Sequence, residues 1–456
     1  MSDPHPTDAE ALARLREHGV GERPAHAWAA LVARAQGALD DDGVPASHRR
    51  AWVAPGRIEV LGKHVDYAGG RSLVCAVDRG IVVVARTRDD RTVVVRDAVL
   101  GEAVTVPLDG EPAGDAPAWR PYVHTVVQRL ARNFGEGVRG CDIALASNLP
   151  PAAGVSSSAA LIVGLGLAVA HASGLPRTAR WRKALPDCAA LAGYFGAMEN
   201  GSDFGPLAGE RGLGLMNGAQ DQASILCSRA GSLGVFAWAP VRHERWVTWP
   251  ADHVFVVATS GVTAEKTRDA LARYNRVSAI ARHLAAAWRR ATGGDEATLG
   301  DIVASAPDAA ARLRAIARDA ATDDLDATTL VARVDQFVHE TTGHVPRAAD
   351  ALDRGDLAAF GAEVASSMRW AECALGNQVP ETLALVEEAL RCGAVAASAF
   401  GAGFGGSVWA MVPQADATPF TERWQRAYAS RFPAAAARAV CFATRPGTAA
   451  FELEAG

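Results

Sequence analysis

Pro150-Pro151-Ala152-Ala153-Gly154-Val155-Ser156-Ser157-Ser158-Ala159-Ala160 lies between two apolar runs of different character. Before it, Cys141-Asp142-Ile143-Ala144-Leu145-Ala146-Ser147-Asn148 alternates roughly as a strand does; after it, Leu161-Ile162-Val163-Gly164-Leu165-Gly166-Leu167-Ala168-Val169-Ala170 reads as an apolar helix. The unit is a strand, a tight loop and a helix start. Such a start presents unpaired backbone N–H groups and the positive end of the helix dipole, which together attract an anion. Gly154 lets the backbone approach that anion closely and turn through positive φ. The hydroxyls of Ser156, Ser157 and Ser158 have two uses open to them: capping the helix, or contacting phosphate oxygens or a metal ion. No Gly-Lys-Ser/Thr follows, so the loop is not of the Walker type.

Outward from this loop, composition sets the frame. The chain has 456 residues, 49% of them hydrophobic, enough for two or three domains with buried cores. Charged residues make up 21% and the formal net charge is −5, so neither a nucleic-acid nor a membrane surface is expected as a partner. The seven cysteines are scattered without a CxxC or a metal-binding spacing, as expected of reduced core thiols. The polar start Met1-Ser2-Asp3-Pro4-His5-Pro6 and the lack of a long apolar window lead to the expectation of a cytoplasmic protein.

Residues 8 to about 40 read as Ala-rich helices forming a peripheral cap. The segment Trp52-Val53-Ala54-Pro55-Gly56-Arg57-Ile58-Glu59-Val60-Leu61-Gly62-Lys63-His64-Val65-Asp66-Tyr67-Ala68-Gly69-Gly70 packs functional side chains among glycines, between strand-like runs that end at Val53 and resume at Ser72. It reads either as a solvated turn or as part of a site. Ile81–Ala85 and Thr92–Val95 read as paired strands around Asp89-Asp90-Arg91, and Trp119–Asn133 as a helix. Strands and helices mix without strict alternation, which implies α+β architecture.

Helices continue to about Glu199, followed by the Gly-rich run from Asn200 to Gly214. Asp221 then opens another helix, where an Asp serves as a cap or dipole partner unless chemistry claims it. Gly234–Trp238 and His253–Ala258 read as strands, and Ala-rich helices fill much of the chain to about residue 391. The last loop, Gly401-Ala402-Gly403-Phe404-Gly405-Gly406, precedes an apolar strand, the wrong order for a dinucleotide-binding turn.

Three of these segments, in this order, resemble the three motifs of the GHMP small-molecule kinases. Pro55–Tyr67 is closest to the galactokinase form, Gly-Arg-x-x-x-x-Gly-Glu-His-x-Asp-Tyr; Pro151–Ala160 resembles the phosphate loop, and Gly401–Gly406 the third motif. Asp221-Gln222, and Tyr274-Asn275-Arg276 downstream of Lys266, resemble the galactokinase branch in particular. The resemblance implies a two-lobed α+β fold with the active site in the cleft, a ribosomal-protein-S5-like first lobe and a ferredoxin-like α/β second lobe. Its expected division is a helical extension over 1–45, an ATP-binding lobe over 46–230 and a second lobe over 231–456. It also implies phosphoryl transfer from Mg-ATP to a sugar, at the anomeric hydroxyl, by a monomer or weak homo-oligomer.

By that resemblance Pro151, Ala153, Gly154, Val155, Ser156, Ser157 and Ser158 hold the nucleotide phosphates, and Ser158 with Glu199 holds Mg²⁺. Asp221 orients or accepts the proton of the attacking hydroxyl, with Arg57 beside it. Lys63, His64, Asp66, Tyr67 and Tyr274 line the sugar, and the backbone at Gly403 closes the pocket. The chain departs from the pattern at Lys63, where the galactokinase form has a glutamate, and at Gln220, where a methionine is usual. The run from 200 to 214 lengthens the spacing between Glu199 and Asp221, as a lid or a reshaped pocket would. Lys63 suits a sugar bearing a C6 carboxylate more than a glutamate does. Three readings follow: a 1-kinase for galactose or a close relative, the same chemistry on an acidic or pentose sugar such as galacturonate or arabinose, and a catalytically silent sugar- and ATP-binding regulator.

Overall fold

The computed structural model describes residues 8–40, 49–110, 117–150, 154–262 and 268–453. The chain begins with α1 (Asp8–Glu17) and α2 (Glu22–Gly37), then the strands β1 (Arg50–Leu61), β2 (Arg71–Thr87), β3 (Thr92–Asp97) and β4 (Ala103–Pro107). Helix α3 (Arg120–Phe134), strand β5 (Cys141–Ser147) and helices α4 (Ser157–Ala172), α5 (Ala179–Ala184), α6 (Cys188–Asn200) and α7 (Gln220–Cys227) follow. Next come β6 (Ser232–Ala237), β7 (Arg242–Thr248) and β8 (His253–Thr259), and the helices α8 (Arg268–Thr292), α9 (Leu299–Ser305), α10 (Ala309–Asp319) and α11 (Ala327–Val338). After α12 (Val345–Asp353), α13 (Leu357–Trp370) and α14 (Pro380–Arg391) stand β9 (Ala396–Phe400) and β10 (Ser407–Pro413). The described chain closes with α15 (Ala417–Arg431), α16 (Pro433–Ala436), β11 (Cys441–Thr444) and β12 (Phe451–Leu453).

These elements form an α+β fold of two lobes. The first sheet runs β12-β1-β2-β5-β3-β4, with β6 and β7 joined to the other half of the long β2. Both of its faces are covered, which is why its strands read as near-continuous apolar runs. Ala51, Val53, Val82, Val84, Ala144 and Ala146 pack on Trp28, Ala29 and Val32 of α2. Their alternate neighbours, including Ala54, Ile81, Val83, Ile143 and Leu145, share the main core with α4. Helix α4 is buried from Ala159 to Ala170, the pattern of a helix apolar all round. The second sheet has the order β11-β8-β10-β9 and is antiparallel throughout, a βαββαβ arrangement of the ferredoxin-like type.

Several expectations need correction. Helix α2 is no peripheral cap, since with α1 it covers one face of β1, β2 and β5 in the first sheet. The strand expected to stop at Val53 runs on to Leu61, and only 62–70 form a loop. A register shift between Pro55 and Arg57 accommodates the proline, and Arg57 and Glu59 then alternate with the core residues Ile58 and Val60. Strands β2 and β3 do not pair with each other, because β5 lies between them, antiparallel to β2 and parallel to β3. Strand β6 pairs with β2 and β7 with β6, so both extend the first sheet. We therefore propose a lobe boundary between β7 and β8, later than residue 231. The polar composition of Arg242–Thr248 hid β7, and with it the hairpin that keeps β6 in the first lobe.

Trp28 is fully enclosed between α2 and the sheet. Trp28→Ala should lower the unfolding free energy by about 3–5 kcal/mol in chemical denaturation; a loss within 0.5 kcal/mol, to which surface substitutions are confined, would mean that α2 is not part of the core.

Candidate active site

The site begins where β5 ends and α4 starts. Gly154 takes φ 67°, and Ser156 takes the left-handed conformation at φ 57°, ψ 46°, which is uncommon for a residue with a Cβ. No side chain caps α4. The Ser156 hydroxyl, rather than bonding to the helix, donates to Oδ2 of Asp221. The hydroxyls of Ser157 and Ser158 make no hydrogen bond among the described residues. Of the two uses open to these serines, capping is therefore not the one the loop adopts. Pro151 and Ala153 lie outside the described residues, as does Lys266.

Arg57 binds this loop to the helix carrying Asp221. Its Nε donates to Oδ1 of Asp221 at 2.7 Å and its Nη1 to the Gly154 carbonyl at 2.6 Å. Its amide N–H donates to the carbonyl of Val155, a buried residue. Burial alone would lower the pKa of this guanidinium, but the carboxylates of Asp221 and Glu59 outweigh it and hold the pKa above the usual value. The third glycine-rich segment joins β9 to β10 and meets the same point: a Cβ at Gly401 would stand 3.3 Å from the Gly154 carbonyl oxygen and 3.7 Å from Arg57 Nη2. At Gly403 (φ 82°) a Cβ would lie 2.4 Å from the Asn377 carbonyl, so only glycine fits there.

The loop from Gly62 to Gly70 forms the adjoining wall. Gly62, at φ 104°, leaves no room for a Cβ against Ser72. Asp66 lies near Asp221, and the backbone N–H groups of Tyr67, Gly218 and Gln220 hold its carboxylate. Burial first, and the Asp221 charge second, push its pKa up to about 6 against those hydrogen bonds. His64 Nε2 lies 3.1 Å from the Ala402 carbonyl and Nδ1 lies 3.1 Å from the Tyr67 hydroxyl. Nε2 therefore carries the proton and donates to Ala402, while Nδ1 accepts from Tyr67. Tyr274, from α8, stacks obliquely at 5.6 Å on His64. With both nitrogens engaged, His64 ties the first motif to the third and offers no free nitrogen to a ligand in this conformation.

Lys63, in this wall, and Glu59, on β1, are buried next to each other. Lys63 is 2% exposed, and among the described residues its buried Nζ has no hydrogen-bond partner; Glu59 is 3% exposed and its Oε1 is equally unpartnered among them. Oε2 of Glu59 accepts from Gln220 Nε2 at 2.7 Å. Burial pushes the Glu59 carboxyl up to about 7, with Lys63 and Arg57 restraining the rise. Glu199, at the end of α6, is also buried, and its Oε2 accepts from Asn217 at 2.9 Å and Gln222 at 2.7 Å. The Gly-rich run beyond it is pinned: Arg129 donates to Ser202 O, Asn133 to Ala208 O, and Asn275 of α8 to Gly214 O. It is docked on its neighbours, not a detached lid.

Residues of the second lobe that the sequence reading passed over hold the first motif in place. Glu340 Oε1 accepts from the Gly62 and Lys63 amides at 2.6 and 3.3 Å, Gln336 Nε2 donates to Lys63 O, and Arg333 Nη2 donates to His64 O at 2.6 Å. The signal was present as polar residues at 333, 336 and 340, which fall on one helical face; only their depth of burial distinguishes them from a solvated stripe.

Three family models match the chain: the galactokinase galactose-binding signature over residues 43–87, the GHMP kinases N terminal domain over 121–204 and the GHMP kinases C terminal over 348–430. The crystal structure of Lactococcus lactis galactokinase complexed with galactose is similar in fold, with a TM-score of 0.75 at 23% identity over 92% of this chain and 99% of that one. A D-glycero-D-manno-heptose 1-phosphate kinase from Bacteriodes thetaiotaomicron gives 0.51 at 11% identity, covering 90% of this chain and 99% of that one. The galactokinase of Glaesserella parasuis serovar 5 (strain SH0165) is 34% identical over 113 residues, 25% of this chain; the match spans 29% of that relative's length. Fold, motif order and family matches agree on one class: the chain carries the N terminal and C terminal domains of GHMP kinases and is similar in fold to a galactokinase. The match over 43–87 is to the galactose-binding signature of galactokinases, so within that class the chain is most like the galactokinase form.

Burial, and next the charge of Arg333, push the His64 imidazole down to about 4. The unfolded chain takes up this proton near 6.5 and the folded one only near 4, so this group withdraws stability as pH falls through that window. Asp66 acts in the opposite sense, because the folded chain protonates it first, from about 6. Histidine NMR should find the His64 ring neutral, with its Nε2 proton retained, at pH 5.5; a charged ring there would refute the hydrogen-bond assignment.

Proposed function

We propose that the chain transfers the γ-phosphoryl group of Mg-ATP to the anomeric (C1) hydroxyl of galactose or a closely related sugar. The observation that carries the reading is the junction of Arg57, Asp221, Gly154 and Ser156, where a carboxylate is bonded to the phosphate-loop candidate itself. The open start of α4 and the hydroxyls of Ser157 and Ser158 suit a nucleotide's phosphate oxygens. Asp221 stands one hydrogen bond away from that loop, held at Oδ1 by Arg57 and at Oδ2 by Ser156. Each carboxylate oxygen keeps a further lone pair, with which Asp221 accepts the proton of the attacking hydroxyl. Arg57, already beside it, offsets charge on the phosphoryl oxygens. Catalysis of this kind is mostly positioning and charge stabilisation.

Ser158 and Glu199 offer hydroxyl and carboxylate oxygens, the donors Mg²⁺ takes. Among the described residues there is no group of three or more His, Cys, Asp or Glu that could hold a metal ion. That suits an ion bound largely through nucleotide phosphates and water. When bound, Mg²⁺ neutralises phosphate charge. Asp66 and Tyr274 face Asp221 and supply an acceptor and a hydroxyl for the sugar, with the third glycine-rich loop closing the space. Among the described residues no helix is long and apolar enough to cross a membrane.

A second reading keeps the chemistry and changes the sugar. The unpartnered, buried Lys63 ammonium would be satisfied by a carboxylate on C6, as in galacturonate, which an acceptor-only glutamate would repel.

Asp221→Ala should lower kcat by about a hundredfold to ten-thousandfold while ATP still binds in calorimetry, with product formation on a sugar panel followed by phosphorus NMR. Unchanged turnover would remove Asp221 from the chemistry. If Lys63 selects an anionic sugar, Lys63→Met should lower kcat/KM for galacturonate relative to galactose by about tenfold or more, and an unchanged ratio would discard that role.

A further inference from the structure

Helices α6 and α7 run antiparallel, and their contacts fix which residues stand opposite one another. Near the site Gln222 Nε2 donates to Glu199 Oε2 at 2.7 Å, and a Cβ added at Gly196 would lie 2.9 Å from the Cβ of Ala219. From that close approach α6 extends back to Cys188 and α7 forward to Cys227, in each case by about 12 Å at 1.5 Å per residue. Equal lengths in the same direction bring the two thiols to the same end of the pair. There the two thiols stand close enough for each to act on the other's ionisation.

The two sulfurs are unlike in every other respect. Cys188 is exposed, at the first position of α6, directly after Asp187, whose Oδ1 caps the helix through the Ala190 amide at 2.8 Å. Cys227, at the last position of α7, is buried. The neighbouring Cys227 thiol draws Cys188 below the usual thiol range despite burial and the Asp187 charge, and the same neighbour together with burial drives Cys227 up. A thiolate-prone sulfur open to solvent beside a hidden one is the arrangement of an attacking and a resolving thiol. The phosphoryl-transfer site uses neither.

We propose that Cys188 and Cys227 are a site of reversible oxidation, closing to a disulfide that joins the far ends of the helices carrying Glu199 and Asp221. With glutathione disulfide as oxidant, the Cys188 thiolate attacks one sulfur of the reagent, forming a mixed disulfide and releasing one glutathione thiolate, which takes up a proton. Cys227 then gives up its proton and attacks the Cys188 sulfur, releasing the second glutathione and leaving the protein disulfide. Two thiols are oxidised and one disulfide is reduced. The product encloses a loop of about 40 residues that contains the Gly-rich run, so its formation requires no contact between distant parts of the chain.

The full chain, incubated with excess glutathione disulfide and then denatured, should fall from seven titratable thiols to five and recover all seven with dithiothreitol. Peptide mapping should link the peptide of Cys188 to that of Cys227. In Cys227→Ser the reaction should stop at a stable glutathione adduct on Cys188, and Cys188→Ser should lose no thiol pair. A lasting glutathione adduct on Cys188 of the unsubstituted chain, a different pairing, or seven surviving thiols would each overturn the proposal.

Discussion

A single buried guanidinium holds the site together. Arg57 emerges from an irregular stretch of β1 and bonds at once to the carboxylate of Asp221 on α7 and to the Gly154 carbonyl before α4. The hairpin loop between β9 and β10 lies against it, with the Phe400 ring 5.9 Å from its centre. A buried cation is tolerated only when its donors are taken up, and losing one partner leaves an uncompensated charge. Four segments far apart in the chain are therefore held to one mutual geometry. The arrangement puts a carboxylate, a cation and an uncapped helix start in contact.

Polar contacts join the two lobes along this wall. Glu340 and Gln336 hold the backbone at Gly62 and Lys63, Arg333 takes the His64 carbonyl, and His64 returns a hydrogen bond to Ala402 in the third motif. Such a network in a low-dielectric interior is strong when satisfied and costly when broken. Its consequence is a first-motif loop whose shape is set by second-lobe side chains. Lys63 of that loop and the neighbouring Glu59 each keep a buried polar atom without a hydrogen-bond partner among the described residues, and such atoms carry a large desolvation cost.

The strand-loop-helix unit around Gly154, the helix that starts beside Asp221 and the order of the three motifs were all legible in the sequence, because local periodicity and glycine placement are local facts. Less local features misled. The strand through Arg57 looked like a loop because its polar residues face a site rather than water, and the division at residue 231 overlooked a polar strand that only its pairing reveals. The covering role of α2 was hidden because an Ala-rich helix looks alike on a surface and against a sheet.

What the sequence determined by itself was the catalogue of parts: which residues could carry charge, where the chain could turn through positive φ, and which runs had to be buried. What only the tertiary structure decided was their company. The Ser156 hydroxyl turns to Asp221 instead of capping its own helix, His64 spends both nitrogens inside the protein, and Glu340 reaches across to the amides of Gly62 and Lys63. Partners of this kind are chosen by distance through space, and strands and helices separated by hundreds of residues become neighbours only when burial of their apolar faces brings them together.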